Sequence, residues 1–245
     1  MTTERILLLP GLLCDAAVWT AQRDALAARA QTFVAEYHDL DSLEDMAAKV
    51  LRDSPFERFS VAGHSMGGRI AMEMMRLAPH RVERLALMDT SYEALAEGDT
   101  GLEEKARRYQ LLDHARKHGM REMGKLWAPG MVHPDRHASP VYQEVLDMIE
   151  RRTVEQFQGQ ITALLNRPDA SPVLKSLACP TWFICGRQDT WSPVERHEVM
   201  ADMVPEPYVQ LKVVEDSGHM ITMEQPAAVS ALLEAWLDTP SALPA

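Results

Sequence analysis

Phe59-Ser60-Val61-Ala62 runs directly into Gly63-His64-Ser65-Met66-Gly67-Gly68 and on into Arg69-Ile70-Ala71-Met72. An apolar run of strand length, a serine bracketed by glycines and a helical apolar pattern over residues 69–77 follow one another with no spacer. This is G-x-S-x-G in the strand-turn-helix setting that its mechanics require. The turn is tight, and side chains at the flanking positions would collide with neighbouring backbone. Such a turn presents Ser65 Oγ at the C-terminal edge of a sheet. At the start of a helix, the Met66 N–H and the helix dipole face the place where a negatively charged oxygen would form.

Outward from this turn, short apolar runs alternate with helical patterns. Residues 5–9 precede a helix over 16–30, residues 33–37 precede one over 43–52, and residues 59–62 precede one over 68–77. A further buried strand is expected at 82–88. The alternation indicates βαβ units and a parallel sheet. Ser42 with Asp45 reads as a variant capping box, and Pro79 ends the helix that begins near Gly68. From 91 to 174 the pattern turns mostly helical, with amphipathic stretches at 102–117, 120–127, 140–152 and 155–165. Strands at 181–185 and 208–214 then resume, with helices at 194–203 and 227–237. The expected fold class is therefore α/β: a mostly parallel sheet flanked by helices. Residues 1–90 and 175–245 form its core domain, and 91–174 form a helical cap inserted into it.

A serine is a weak nucleophile at neutral pH and needs a base within hydrogen-bond reach. Of the nine histidines, His219 is favoured. It lies in Asp216-Ser217-Gly218-His219, just after the strand at 208–214, and so at the same sheet edge as Ser65. His64 is expected to point away from the reaction, and His80, His114, His118, His133, His137 and His197 are expected at the surface. In sites of this kind the acid falls between serine and histidine in the chain. Asp189, in Gly186-Arg187-Gln188-Asp189 after the strand at 181–185, meets that order. Asp89, at the end of the preceding strand, is its rival, whereas Asp216 is too close in sequence to turn back onto His219. The loop Leu9-Pro10-Gly11-Leu12-Leu13 is placed to offer the Leu12 N–H beside that of Met66 as a second oxyanion donor.

The 15 methionines are mostly core filler, with Met72, Met74 and Met75 on a helix that must pack on the sheet. Met120, Met123, Trp127, Met131 and Tyr142 fall in the helical segment and are candidates for an apolar acyl pocket. Trp191, two residues after Asp189, is a candidate for its mouth. No histidine spacing suggests a metal, no G-x-G-x-x-G follows the first strand, and the Gly63–Gly68 turn lacks the lysine of a phosphate loop. No cofactor is expected.

Composition narrows the setting. A hydrophobic fraction of 46% and a charged fraction of 25% are those of a globular chain and argue against disorder. The net charge of −11, with basic residues scattered as in Arg107-Arg108 and Arg151-Arg152, argues against a nucleic-acid partner. Cys14, Cys179 and Cys185 form no C-x-x-C pair, and their odd number does not suit a fully paired disulfide framework. The opening residues lack signal-peptide character, and nowhere do 18 apolar residues run uninterrupted. The expectation is a cytoplasmic protein, monomer or homodimer, that acts on a small molecule and engages neither membrane nor nucleic acid.

Together, Leu9-Pro10-Gly11-Leu12, Gly63-His64-Ser65-Met66-Gly67-Gly68, Gly186-Arg187-Gln188-Asp189 and Asp216-Ser217-Gly218-His219 span nearly the whole chain. In order and interval they resemble the α/β-hydrolase superfamily, in the compact, helical-capped branch of small carboxylesterases and enol-lactone hydrolases. The resemblance implies a serine hydrolase that cleaves a carboxylic ester or lactone through an acyl-Ser65 intermediate, with His219 as base and Asp189 as acid. Two departures stand out. Pro10-Gly11 replaces the usual His-Gly, removing a side chain that often buttresses the oxyanion loop. The first strand resembles the family's third, which implies a sheet shortened at one edge. Ser65-Met66-Gly67-Gly68-Arg69 is also similar to the elbow of the menaquinone-pathway synthase of this superfamily, which makes a triad-dependent lyase the first alternative. A non-enzymatic ligand receptor on the same scaffold is the second, and an intact serine, acid and histidine argue against it.

Overall fold

The computed structural model describes residues 3–241. Six strands form one sheet: β1 (Glu4–Leu9), β2 (Ala30–Val34), β3 (Phe59–His64), β4 (Val82–Met88), β5 (Thr181–Gly186) and β6 (Val209–Val214). Their order is β2-β1-β3-β4-β5-β6, and every neighbouring pair is parallel. Helices cover both faces of such a sheet, so its central strands read as unbroken apolar runs rather than alternating ones. All six residues of β3 and all six of β5 are buried accordingly.

Helices α1 (Thr20–Leu26) and α2 (Leu43–Asp53) follow β1 and β2, and α3 (Met66–Leu77) follows β3. Ser42 caps α2 by accepting the Asp45 amide at 3.3 Å. Helix α3 is buried along its first ten residues, including Met72, Met74 and Met75, because it packs both on the sheet and on α2. Between β4 and β5 lie α4 (Asp99–His118), α5 (Met120–Trp127), α6 (Pro140–Glu150), α7 (Val154–Leu165) and the short α8 (Ser171–Lys175). Thr153 and Gln156 open α7 with a reciprocal capping box. Helix α9 (Val194–Met203) follows β5, while α10 (Ile221–Glu224) and α11 (Pro226–Leu237) follow β6. Trp19, Phe59, Phe183 and Trp236 are among the largest fully buried side chains of a core on both sides of the sheet.

Two elements differ from the sequence reading. The second strand lies three residues earlier, at Ala30–Val34 rather than 33–37, and the helix expected over 16–30 ends at Leu26 after a 3-10 turn at Ala16–Trp19. Ala35 and Tyr37 are apolar and buried, as a strand reading assumes, but they belong to the chain as it leaves the sheet. The Ala35 amide donates to Leu8 O, and the Tyr37 hydroxyl donates to Pro10 O. The true strand is the sheet's edge, paired on one side only, and tolerates the polar Gln31 and Thr32. The three cysteines are free and buried. No helix of the described residues is long and apolar enough to cross a membrane.

Candidate active site

A parallel sheet delivers the C-terminal end of every strand to one edge, where ligands of open α/β sheets bind. Gly11 follows β1, Ser65 follows β3, Asp89 follows β4, Asp189 follows β5 and His219 follows β6. At the elbow, Ser65 adopts φ 54°, ψ −118°. An L-residue rarely takes this backbone shape, and it persists only where the surroundings enforce it. Here the Ser65 amide donates to Met88 O at 2.8 Å, and the Thr90 hydroxyl donates to Ser65 O at 2.8 Å. The glycines fit for lack of room: a Cβ on Gly63 would fall onto the Gly67 carbonyl, and one on Gly67 onto that of Leu9.

Three side chains meet in a line. Ser65 Oγ donates to His219 Nε2 at 2.8 Å, and His219 Nδ1 donates to Asp189 Oδ2 at 2.8 Å. The carboxylate fixes the tautomer, leaving Nε2 free to accept from the serine. Asp189 is buried, and its second oxygen accepts the Trp191 and Ser192 amides at 2.8 and 3.0 Å. Burial by itself would raise its pKa, but the His219 imidazole beside it and these amides outweigh that and hold the carboxyl below its ordinary value. Asp189 is therefore an anion wherever the imidazole needs one.

Asp89 occupies a different place. Its Oδ1 accepts the Gly186 amide at 2.9 Å, and its Oδ2, with no hydrogen-bond partner among the described residues, lies 3.6 Å from His64 Nε2. Complete burial, with the Asp189 charge nearby, pushes its carboxyl well above the usual range. That shift favours the neutral form, which is the wrong form for stabilising an imidazolium.

His64 turns toward the backbone of the base loop rather than toward Ser65 Oγ: its Nε2 donates to His219 O at 2.7 Å. Burial lowers its pKa, and the ring is neutral. The base loop has further ties. The His219 amide donates to Met131 O at 2.7 Å. Glu224 accepts the Gly218 and Met220 amides on Oε1 at 3.0 and 3.1 Å and the His133 amide on Oε2 at 2.7 Å.

The loop after β1 brings Leu12 to the same cavity as Met66. The Met66 amide heads α3, where amides have no intrahelical acceptor. Leu13, at φ 61°, turns the chain so that its own amide donates to Gln160 Oε1 of α7 at 2.8 Å. Tyr37 and Gln160 thus brace the loop that lacks the usual histidine at Pro10. Neither was identified from the sequence, although Gln160 is a polar residue among the apolar Phe157, Ile161 and Leu164 of α7, a detectable signal.

These groups open onto a cavity of about 940 Å³. Trp127, Met131 and Trp191 line it. Trp191 stacks on Trp127 with centroids 5.3 Å apart and leans over His219 at 5.0 Å. Two expectations are corrected. Met120 and Met123, buried in the core, and Tyr142, whose ring on α6 packs 5.4 Å from that of His137, lie outside the lining. His197 is buried rather than at the surface: Val194, His197 and Met200 form the inward stripe of α9. Its Nε2 accepts the Thr90 amide at 3.2 Å, and burial takes its pKa down to about 4. Among the described residues no group of three His, Cys, Asp or Glu side chains is arranged to hold a metal ion.

A profile of the α/β-hydrolase fold family matches residues 18–226. The chain belongs to the α/β-hydrolase family. A Haemophilus influenzae protein, provisionally named esterase/lipase, is 26% identical over 80% of this chain and 65% of its own length. An Azorhizobium caulinodans protein, provisionally named carbamate hydrolase RutD, is 27% identical over 93% of this chain and 89% of its own. The chain thus spans slightly under two thirds of the first of these relatives. Among solved structures, the thermophilic esterase of Thermogutta terrifontis, solved with malate bound, superposes with a TM-score of 0.86 at 26% identity, over 96% of this chain and 90% of that one.

Proposed function

We propose that this α/β-hydrolase family member hydrolyses a small carboxylic ester or lactone through an ester of Ser65. The observation that carries the reading is the unbroken line Ser65–His219–Asp189 at 2.8 Å per step. The esterase names of the relatives support the same chemistry. His219 Nε2 takes the hydroxyl proton as Ser65 Oγ adds to the carbonyl carbon, and the carbonyl oxygen becomes an anion facing the Leu12 and Met66 amides. Asp189 holds the imidazole and stabilises its cation. The tetrahedral species then expels the alcohol, which leaves with the proton from His219. Water, activated by the same nitrogen, releases the acid and restores Ser65. Residues 91–174 act as a cap whose Trp127 and Met131, with Trp191 from the core, keep bulk water from the intermediate.

The test is mass spectrometry of protein quenched during turnover of an activated ester. One acyl group is expected on the peptide that contains residues 63–68, together with covalent labelling of Ser65 by an organophosphonate. A lyase working by proton abstraction needs no such ester, and a receptor turns nothing over. Efficient turnover with neither adduct nor label overturns the hydrolase reading.

A further inference from the structure

The chain carries a net charge of −11, yet five arginines line the cavity: Arg69, Arg107, Arg108, Arg167 and Arg196. The acids on the same lining are Asp89, whose carboxyl is pushed by burial well above the usual range, Glu93 and Glu104. Glu104 is taken up by two cations, Arg108 at 2.8 Å and Arg167 at 2.7 Å. Glu93 lies 3.4 Å from Arg196.

Arg69 is left without an anion. It is 5% exposed, and its Nη2 donates to Ser91 Oγ and to Glu93 O, both at 2.7 Å. Both acceptors are neutral, and among the described residues no carboxylate lies within ion-pair distance. Arg167 Nε donates to the same Glu93 carbonyl at 3.2 Å, so one oxygen holds two guanidinium groups side by side. Burial first, and then Arg167, bring the Arg69 pKa down to about 9, with the Glu93 and Glu104 charges only partly opposing them. A buried cation beside another cation is costly unless something negative joins them. It is also placed for use: Arg69 is one helical turn from Ser65 on α3, about 5 Å along the axis, and both line the same cavity.

We propose that Arg69 forms a subsite for an oxyanion group on the substrate, so that the ester or lactone cleaved at Ser65 carries a carboxylate or phosphate within reach of Arg69 in the same cavity. The proposal rests on the hydrolase reading for the ester but not for the anion, and the two are tested separately.

Binding is measured by calorimetry on Ser65→Ala, which turns nothing over, with glutarate and with inorganic phosphate as probes. Saturable binding of either is expected, weakened at least about tenfold by adding Arg69→Met and partly restored by Arg69→Lys. The probe that binds more tightly assigns the group as carboxylate or phosphate. Turnover is measured on monoethyl esters of four- to six-carbon dicarboxylic acids and on acetyl-glycolate, each beside an uncharged ester of equal length. The wild type is expected to prefer a charged member by about tenfold or more in kcat/KM, and Arg69→Met is expected to collapse that ratio. Should Arg69→Met not fold, the wild-type preference and its loss to competing glutarate decide. Hydrolysis of uncharged esters as fast as charged ones, or oxyanion binding indifferent to Arg69, overturns the subsite and leaves the hydrolase standing. Arg69-dependent binding with no ester cleaved does the reverse.

Discussion

His64 and His219, 155 residues apart in the chain, are joined by one hydrogen bond from the His64 ring to the His219 carbonyl at 2.7 Å. The residue before the candidate nucleophile therefore holds the backbone of the candidate base, and elbow and base loop move as one. In His64→Ala this buried carbonyl loses its donor, a loss worth about 1–3 kcal/mol. The prediction is a fall in kcat of about 10- to 100-fold with KM little changed, and partial recovery in His64→Gln, which can still donate. Steady-state kinetics of the two variants decide it. Equal damage in both would assign His64 a packing role alone.

The two buried aspartates are predicted to behave oppositely on amidation. Asp189→Asn removes the anion and offers the imidazole the wrong partner, which in the best-studied triad costs about 10⁴ in kcat. Burial favours the neutral form of Asp89, and asparagine keeps an acceptor for the Gly186 amide, so Asp89→Asn is predicted to lose less than about tenfold. A larger loss at Asp89 than at Asp189 would place the acid on β4.

Gln160 is predicted to matter for rate although it touches neither Ser65 nor His219 in any hydrogen bond of the described residues. In Gln160→Leu the Leu13 amide is left buried and unpaired, and the loop that presents Leu12 loses its brace. The expected result is destabilisation of about 1–3 kcal/mol by urea unfolding. A fall in kcat of up to about the hundredfold seen on deleting an oxyanion donor should accompany it. Lost stability with kcat intact would leave Gln160 a structural residue only.

Glu104 supplies the pH dependence. Burial favours its neutral form, but Arg167 and Arg108 overcome this and lower its pKa from 4.5 to about 2. A carboxyl depressed on folding stabilises the fold above its unfolded pKa, and that contribution is lost as pH falls through the folded value. The shift sets an upper bound of about 3 kcal/mol, and solvent screening at the partly exposed cavity edge reduces the expectation to about 1–2 kcal/mol. Glu104→Gln should therefore be less stable than wild type at pH 7, with the gap narrowing from about pH 5 and nearly closed at pH 2. Urea midpoints across that range measure it, and a gap independent of pH rejects the assignment.

What the sequence discloses depends on how local the cause is. The elbow is legible because its pattern is contiguous: Gly63 answers a clash inside the turn, and Gly67, whose clash is with the distant Leu9 carbonyl, stands beside it in the same motif. Asp189 and His219 are legible as strand-end residues in a fixed order, and the structure brings both to Ser65. His64 and Gln160 escape, since each acts on backbone far away in sequence, as Glu224 does through His133, and a lone polar residue on an apolar face does not say what it holds. His197 misleads because Glu195 and Glu198 beside it are exposed while it shares the inward stripe with Val194 and Met200. The displaced second strand has a similar origin, since Ala35 and Tyr37 are buried although they lie beyond the end of the strand.

Among the bonds that tie the segment between β4 and β5 to the rest of the molecule, two reach opposite halves of the site: the Leu13 amide to Gln160 and the His219 amide to the Met131 carbonyl. The segment is thus no interchangeable part. A chimera that took its helices from a relative would have to import an acceptor at each of those two points, or it would graft a new pocket onto a site whose candidate oxyanion loop and candidate base had both come untethered.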